Sequence, residues 1–255
     1  MPDWPWTTLL AAAVAVMLAY TVYGLTGFGA AIVAIPLLAQ VLPLRFAVPM
    51  MLLFDLVAGL LLGLKNRRNV DRRELLLLVP FLLIGMVAGV VLLARAPERG
   101  LLAVLGLFAV LYSGWNLLRK ATTAPIAPGW AVPAGLVGGA FTSMYGTGGP
   151  IYASYLARRV SDKDVLRASV AALIFGAGWL RLAMFTAGGF YAQSGLLVLA
   201  AVLLPAALTG YFIGSRLHAR LSGPQAFKAV WLLVCAAGLG LLWRVVAPVV
   251  APVVG

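Results

Sequence analysis

Long apolar stretches alternate with short polar connections along almost the whole chain. A helix needs about 20 apolar residues to cross the hydrocarbon core of a bilayer, and several of the stretches reach that length. The pattern therefore predicts a membrane protein built from helices. The predicted apolar segments lie at roughly residues 7–22, 28–43, 46–64, 75–94, 101–118, 130–144, 148–157, 165–187, 195–217 and 226–247.

Glycine-rich sequences of similar composition break two of these apolar regions. GFGAAIVAIPLLA begins at Gly27, and GTGGPIYASYLAR begins at Gly146. Hydrocarbon cannot satisfy the backbone N–H and C=O groups that such a break releases, so these groups must face protein or a water-filled cavity. Matched breaks in two halves of a chain are typical of transporter binding sites. The pair predicts one polar site to which both breaks contribute.

A second set of positions recurs at constant spacing and extends the similarity between the halves. Pro80, Gly85, Gly89 and the pair Ala94 and Arg95 are repeated as Pro205, Gly210, Gly214 and the pair Ala219 and Arg220. We therefore predict an all-α polytopic membrane protein with two homologous repeats, residues 1–120 and 130–255, joined by a linker at 121–129. Each repeat is expected to contain a glycine-broken pair of half-helices and three transmembrane helices.

Loop charge predicts how the broken elements sit in the membrane, because loops rich in Lys and Arg tend to stay cytoplasmic. If each broken element crosses the membrane once, ten basic loop residues lie on one side and eight on the other. This difference is too small to predict the orientation of the chain. If each enters and returns, fourteen share one side and four lie opposite. The second arrangement gives each half five segments, so the repeats are expected to be inverted, with both termini outside the cytoplasm. The four residues on the opposite side are Arg45, Arg95, Arg99 and Arg244.

Composition excludes most other classes of protein. The chain is 63% hydrophobic and 10% charged, with a mean hydropathy of +1.04, which leaves no room for a soluble catalytic domain. Its net charge of +12 lies in short loops, so we expect the lipid bilayer and not a nucleic acid as the partner of this charge. Zinc, phosphate-loop and nucleophile-elbow motifs are missing from the sequence, and Cys235 is the single cysteine. We therefore predict no enzyme activity, no metal and no cofactor; homo-oligomerisation stays open.

The glycine motifs provide candidate ligands for an anion. A half-helix that begins near the membrane centre turns free N–H groups and the positive end of its dipole inward. Glycines let a ligand approach the backbone, and hydroxyl groups add donors. The predicted substrate-binding residues of the motifs are Gly27, Gly29, Ser143, Gly146, Thr147, Gly148 and Gly149. The alternative is that these glycines only allow close helix packing.

Two ionisable residues lie inside apolar segments that are equivalent helices of the two predicted repeats. Asp55 lies within MMLLFDLVAGLLLGL, and Arg181 lies within AALIFGAGWLRLAMF. Charges at such depth are costly and usually face the bundle interior or a cavity. We expect Arg181 to bind the anion, and Asp55 to pair with it or to carry a coupling proton. The alternatives are a structural ion pair, or an arginine that reaches the membrane interface.

GLTGFGAAIVAIP from Gly24 and YGTGGPIYASYL from Tyr145, together with the duplicated organisation, resemble the TauE/SafE family of membrane proteins. Members of this family include proteins linked to export of sulfite or sulfoacetate. The resemblance implies a transporter of small sulfur-containing or organic anions in the inner membrane of a bacterium. We expect a secondary transporter, with proton coupling as one option. A passive anion channel and a membrane scaffold are the alternatives.

Overall fold

The structure is a computed structural model that describes residues 4–26, 29–62, 70–118, 124–218 and 223–250. Within these ranges the chain forms ten α-helices and two short 3₁₀ turns, with no strand. The helices are α1 (Trp6–Thr26), α2 (Ala30–Leu38), α3 (Leu44–Leu62), α4 (Arg72–Arg95), α5 (Glu98–Leu118), α6 (Ala131–Tyr145), α7 (Gly149–Leu156), α8 (Lys163–Ala187), α9 (Leu196–His218) and α10 (Gly223–Val250).

The predicted all-α polytopic membrane fold is confirmed. In the described part of the chain, six helices are long and apolar enough to cross a membrane, namely α1, α4, α5, α8, α9 and α10. Helices α2, α6 and α7 have 9, 15 and 8 residues and fall short of the roughly 20 that a crossing needs. The fold is therefore that of a multi-pass membrane protein. Several predicted loop positions lie outside the described residues, namely Gly27, Lys65, Arg67, Arg68, Arg119, Lys120, Arg220 and residues 121–123 of the linker.

Helix α1 is longer than the predicted half-helix, which ended at Val22. It continues to Thr26 and reaches 21 residues. Gly24 is tolerated inside it because that position packs directly on the backbone of α9, where an added Cβ would lie 2.7 Å from the Ser215 nitrogen. Close backbone packing of this kind is a common use of glycine in membrane helices. Gly24 is therefore a packing residue inside α1, and the helix continues past it to Thr26.

The chain divides into two compact units, each of which takes helices from both predicted repeats. The first unit comprises Met1–Ala47, Ala96–Lys120 and Ser194–Gly255; the second comprises Val48–Arg95 and Ala121–Gln193. The first unit thus contains α1, α2, α5, α9 and α10, and the second contains α4, α6, α7, α8 and most of α3. The two homologous repeats, and their inversion, stay predictions.

Both units contain a parallel pair of helices packed through glycine. In the first unit, Gly210 of α9 lies against Met17 of α1, and Gly214 lies one turn further along, against Thr21 and Gly24. Contacts that advance together on both helices mean that the helices run in the same direction.

The second unit contains the corresponding pair, α4 and α6. Gly85 of α4 lies against Leu136 of α6, and Gly89 lies against Ala140 and Ser143. These glycines are the residues whose spacing marked the predicted repeat. Their shared role in packing explains why the same spacing occurs twice.

The second glycine-broken element folds into a hairpin. Gly148 packs on the backbone of Gly138 and Thr142, and a methyl group on Gly138 would lie 3.1 Å from the ring of Tyr152. Helix α7 therefore returns along α6. Beyond α7, Arg159 Nη1 donates to the carbonyl of Ile126, which precedes α6, at 3.1 Å. The two ends of the element thus lie together.

The first glycine-broken element returns in the same way within its own unit. Trp4, which precedes α1, stacks edge-on with Phe46 beyond α2, at 5.5 Å between ring centroids. The carbonyl groups of Ala39 and Gln40, at the end of α2, accept hydrogen bonds from Arg244 Nη1 at 2.6 and 2.8 Å. An element whose two ends lie together fits the arrangement in which each broken element enters the membrane and returns. That is the arrangement that puts fourteen basic loop residues on one side of the membrane and four on the other.

Candidate functional site

The turn at the second glycine motif is shaped by a residue in the left-handed conformation. Gly146 has φ 72° and ends α6, a helix end that favours glycine because a Cβ would be strained there. The N–H groups of Gly146 and Thr147 donate to the carbonyl groups of Thr142 and Phe141, at 2.9 and 3.3 Å. These bonds hold the turn against α6, and α7 begins at Gly149 with Pro150 in its first turn.

The two glycines that precede Pro150 have different surroundings. A methyl group on Gly148 would overlap Gly138 and Thr142 and would lie 2.8 Å from the Thr142 nitrogen, so this glycine is needed for packing. At Gly149 the nearest atoms to an added methyl group are Ile174 Cδ1 and Tyr152 Oη, both at 3.7 Å. Of the two, only Gly149 therefore has room beside its Cα.

Two hydroxyl groups of this motif are buried without a hydrogen-bond partner among the described residues, Ser143 Oγ and Thr147 Oγ1. Their side chains are 0% and 1% exposed. Ser143 faces α4, since a methyl group on Gly89 would lie 3.0 Å from its Cβ. Thr147 belongs to the turn itself. Buried polar groups are nearly always paired, so both hydroxyl groups remain available to donate to a ligand.

Arg181 is buried in α8 of the same unit, with 5% of its surface exposed. Its Cζ atom lies 5.4 Å from the centre of the Phe185 ring, and its Nε finds no partner in the described chain. Burying a cation without a full set of acceptors is costly. The sequence-based expectation of a buried position for Arg181 agrees with this placement.

Three side chains of the second unit interact electrostatically with Arg181, namely Asp55, Tyr191 and Tyr152. Asp55 is half-buried in α3 and contributes most among the three. Tyr191 donates from its hydroxyl to the Pro49 carbonyl at 3.2 Å, and burial raises the pKa of Tyr191 to about 12. Because Tyr191 therefore stays neutral at physiological pH, Asp55 is the counter-charge in this group.

Tyr152 connects the arginine to the glycine motif. This α7 residue is 2% exposed and interacts with both Arg181 and the Thr142 hydroxyl. Its own hydroxyl lies beside Gly149. Tyr152 thus neighbours both Arg181 and Gly149, and the three residues lie in one region of the second unit. Tyr152 belongs to the hydrophobic core of the unit, while its hydroxyl faces the glycine motif.

The first motif is described in part. Gly27 lies outside the described residues, while Gly29 has φ 87° and begins α2. Helix α2 is buried along almost its whole length, and each of its residues except Leu37 is buried. The contribution of Gly27 and Gly29 to a binding site stays a prediction.

A buried carboxylate that sequence reasoning missed lies at the start of α4. Glu74 is 5% exposed and accepts hydrogen bonds from Tyr155 Oη at 2.8 Å and from Arg159 Nε at 3.0 Å. The carboxylate raises the pKa of Arg159 through these bonds and its charge. Glu74 is an isolated acid at the edge of an apolar run, RRELLLLVP. Because arginines adjoin it, its sequence pattern is typical of a solvent-exposed loop residue.

Comparison with known proteins gives two matches. The family model described as "Sulfite exporter TauE/SafE" matches residues 12–241. The "Probable inner membrane transporter protein TsaS" of Comamonas testosteroni is 31% identical over 201 residues, which cover 76% of this chain and 83% of that protein. No solved structure matches the chain at a significant level.

Proposed function

The chain belongs to the sulfite exporter TauE/SafE family, and on that basis we propose that it is a secondary transporter of a small sulfur-containing or organic anion. Membership of this family and the similarity to an inner membrane transporter make it a membrane transporter. The substrate class, the site and the coupling are the proposal.

One observation supports the proposal above the others: the buried Nε of Arg181 and the buried hydroxyl of Thr147 in the glycine turn both lack a hydrogen-bond acceptor within the described part of the same unit. Arg181 Nε and Thr147 Oγ1 are N–H and O–H donors that no described residue satisfies. Sulfite, sulfonates and carboxylates all present several oxygen acceptors on a compact anionic head. Such an anion supplies the missing acceptors and the counter-charge together, which water does not.

The proposed roles follow from the contacts. Arg181 provides the positive charge, Thr147 and Tyr152 provide hydroxyl donors, and Gly149, which has no side chain, lets the anion approach the backbone at the first turn of α7. Gly146 shapes the turn, whereas Gly148 packs on α6 and acts on the site indirectly. Ser143 is assigned a smaller role in the proposed site, since its Cβ faces Gly89 of α4.

Asp55 is the proposed coupling group. It interacts with Arg181, so a substrate anion and the Asp55 carboxylate compete for the same cation. Protonation of Asp55 would then favour anion binding, and loss of the proton would favour release. This competition gives a physical basis for proton coupling, because two negative charges share one buried positive charge.

The test is uptake of labelled sulfite, taurine, sulfoacetate and a short carboxylate into proteoliposomes, with and without an imposed proton gradient. Wild type is compared with Arg181→Gln and with Arg167→Gln, a matched control on the exposed start of the same helix. We expect Arg181→Gln to lower uptake at least tenfold and Arg167→Gln to leave it within about twofold, as removal of one charged hydrogen-bonding group costs about 1.5–3 kcal/mol.

Equal uptake by wild type and Arg181→Gln would reject the site. Uptake that only equilibrates the anion, and never accumulates it against its gradient, would indicate a channel. A folded wild-type protein that moves none of the four anions would reject the substrate class.

Replacement of Asp55 separates coupling from binding. We expect Asp55→Asn to abolish accumulation driven by the proton gradient while exchange of labelled for unlabelled anion continues. Loss of both activities in a protein with unchanged thermal stability would show that Asp55 serves binding. Retention of gradient-driven accumulation would remove Asp55 from the coupling mechanism.

A further inference from the structure

A groove in the second unit combines two arginines with an apolar floor. It is lined by Arg73, Leu76 and Leu77 of α4, by Pro128 and by Arg159, and has a volume of about 380 Å³. Leu76 is 74% exposed and Leu77 is 38% exposed. The groove therefore has a cationic end and an apolar end, and it is separate from the glycine turn described above.

The position of the groove along α4 places it at the boundary between headgroups and hydrocarbon. Helix α4 begins at Arg72 and is long and apolar enough to span the membrane, so we expect its first turn to lie among the headgroups and its second turn among the acyl chains. Pro128 begins the 3₁₀ turn that leads into α6, which runs parallel to α4. Trp130, at the end of this turn, is 59% exposed, as expected for an aromatic side chain at the interface.

The arginines retain capacity for an anion. Three of the five N–H donors of Arg159 are used within the described chain, two toward Glu74 and one toward Ile126. Its remaining donors, together with the exposed guanidinium of Arg73, surround the polar end of the groove. Asp71 and Glu74 carry two negative charges beside the three positive charges of Arg72, Arg73 and Arg159, so this end keeps a net positive charge.

We propose that this groove binds one anionic phospholipid, with the phosphate between Arg73 and Arg159 and an acyl chain along Leu76 and Leu77. A soluble phosphate compound would satisfy the arginines but would leave the exposed leucines facing lipid tails. A zwitterionic lipid would cover the leucines but would bring its own cation toward the arginines. An anionic lipid complements both ends of the groove.

Binding of lipids to the purified full chain, measured by native mass spectrometry during titration, tests the proposal. The probes are phosphatidylglycerol, phosphatidylcholine and glycerol 3-phosphate. The variants are Arg73→Gln and its neighbour Arg72→Gln, which loses the same charge from an exposed position outside the groove. We expect tighter binding of phosphatidylglycerol than of phosphatidylcholine, a loss of about fivefold in Arg73→Gln, and less than twofold in Arg72→Gln.

Two further variants examine each end of the groove. Arg159→Lys keeps the charge without the forked donors and is expected to weaken phosphatidylglycerol binding, and Leu76→Gln is expected to weaken it through the apolar end. Equal losses in Arg73→Gln and Arg72→Gln would overturn the proposal in favour of diffuse attraction. Displacement of the lipid by glycerol 3-phosphate at equal concentration would overturn it in favour of a soluble phosphate site. Equal binding of phosphatidylcholine would overturn it as well.

Discussion

Arg159 Nη2 donates to Glu74 Oε1 at 2.6 Å, which joins the segment after α7 to the start of α4 across 85 residues of sequence. The side chains are 22% and 6% exposed. Tyr155 Oη donates to the other carboxylate oxygen, and Asp71 Oδ1 accepts a hydrogen bond from the Glu74 nitrogen. This network holds the return arm of the α6–α7 hairpin against α4, so it fixes the hairpin that carries the proposed anion site.

Removing one member of this pair is expected to destabilise the protein. Glu74→Gln leaves the Arg159 guanidinium without its carboxylate, and breaking one side of a buried ion pair costs more than the pair contributes. We expect the apparent Tm in detergent to fall by several degrees, with a smaller fall in Tyr155→Phe, which loses one hydroxyl. The measurement is thermal unfolding, monitored by intrinsic fluorescence.

A double-mutant cycle tests whether the two residues act together. The Tm loss in Glu74→Gln with Arg159→Gln should be clearly smaller than the sum of the two single losses, because the second change removes a charge that the first left unpaired. Additive losses would mean that the contact contributes little in solution.

The two neighbouring glycines of the turn are expected to respond differently to the same change. Gly148→Ala introduces a methyl group against Gly138 and Thr142, and overpacking of this kind typically costs roughly 1–3 kcal/mol. Gly149→Ala meets ordinary contacts and should stay within about 0.5 kcal/mol of wild type.

Transport activity should distinguish the two glycines in the opposite way to stability, because the change at Gly149 affects anion binding and not folding. Gly149→Ala should fold normally but bind the anion more weakly, because the methyl group occupies the space beside Tyr152. The checks are thermal unfolding and the KM for uptake. A Gly148→Ala variant as stable as wild type would show that the α6–α7 contact is looser than described.

Helical segments were predictable from the chain because hydrophobicity in a membrane protein is dictated by the lipid around each helix. The segment predicted at 75–94 is α4, Arg72–Arg95, and the segment at 148–157 is α7, Gly149–Leu156. Both breaks also lie where the glycines predict them, since Gly29 and Gly146 take left-handed conformations that other residues rarely adopt.

Helix partners could not be predicted in the same way. Gly85 and Gly210 identify a repeated surface, but a glycine does not specify which backbone approaches it, and each pairs with a helix from the other half of the chain. Glu74 was missed for a related reason. An acid beside arginines has the same sequence pattern whether it is solvated or buried against Arg159, and only tertiary packing distinguishes the two.

Cysteine labelling tests whether the α6–α7 element enters and returns. In a Cys235→Ser background, single cysteines replace Ala127 and Ser161, which are both exposed and flank the hairpin. Because the two ends lie together, both positions should lie on one side of the membrane. A membrane-impermeant maleimide should therefore label both cysteines in the same preparation, either intact cells or inverted vesicles, and neither cysteine in the other preparation. Labelling from opposite sides would mean that the element crosses the membrane once.

Matched substitutions in the two parallel helix pairs test whether the repeats share a packing design. A methyl group on Gly85 would lie 2.9 Å from the Leu136 carbonyl carbon, and one on Gly210 would lie 3.0 Å from that of Met17. We therefore expect Gly85→Ala and Gly210→Ala to destabilise the protein by similar amounts, roughly 1–3 kcal/mol each.

Gly114→Ala is the control for this pair. Gly114 lies in α5 with open space around its Cα, so alanine should be neutral or slightly stabilising through its higher helix propensity. Thermal unfolding of the three variants in one detergent makes the comparison. Equal losses at Gly85 and Gly210 would support two homologous repeats whose fourth helix packs on a first helix. A large loss at one position and none at the other would mean that the shared spacing of these glycines does not reflect shared packing.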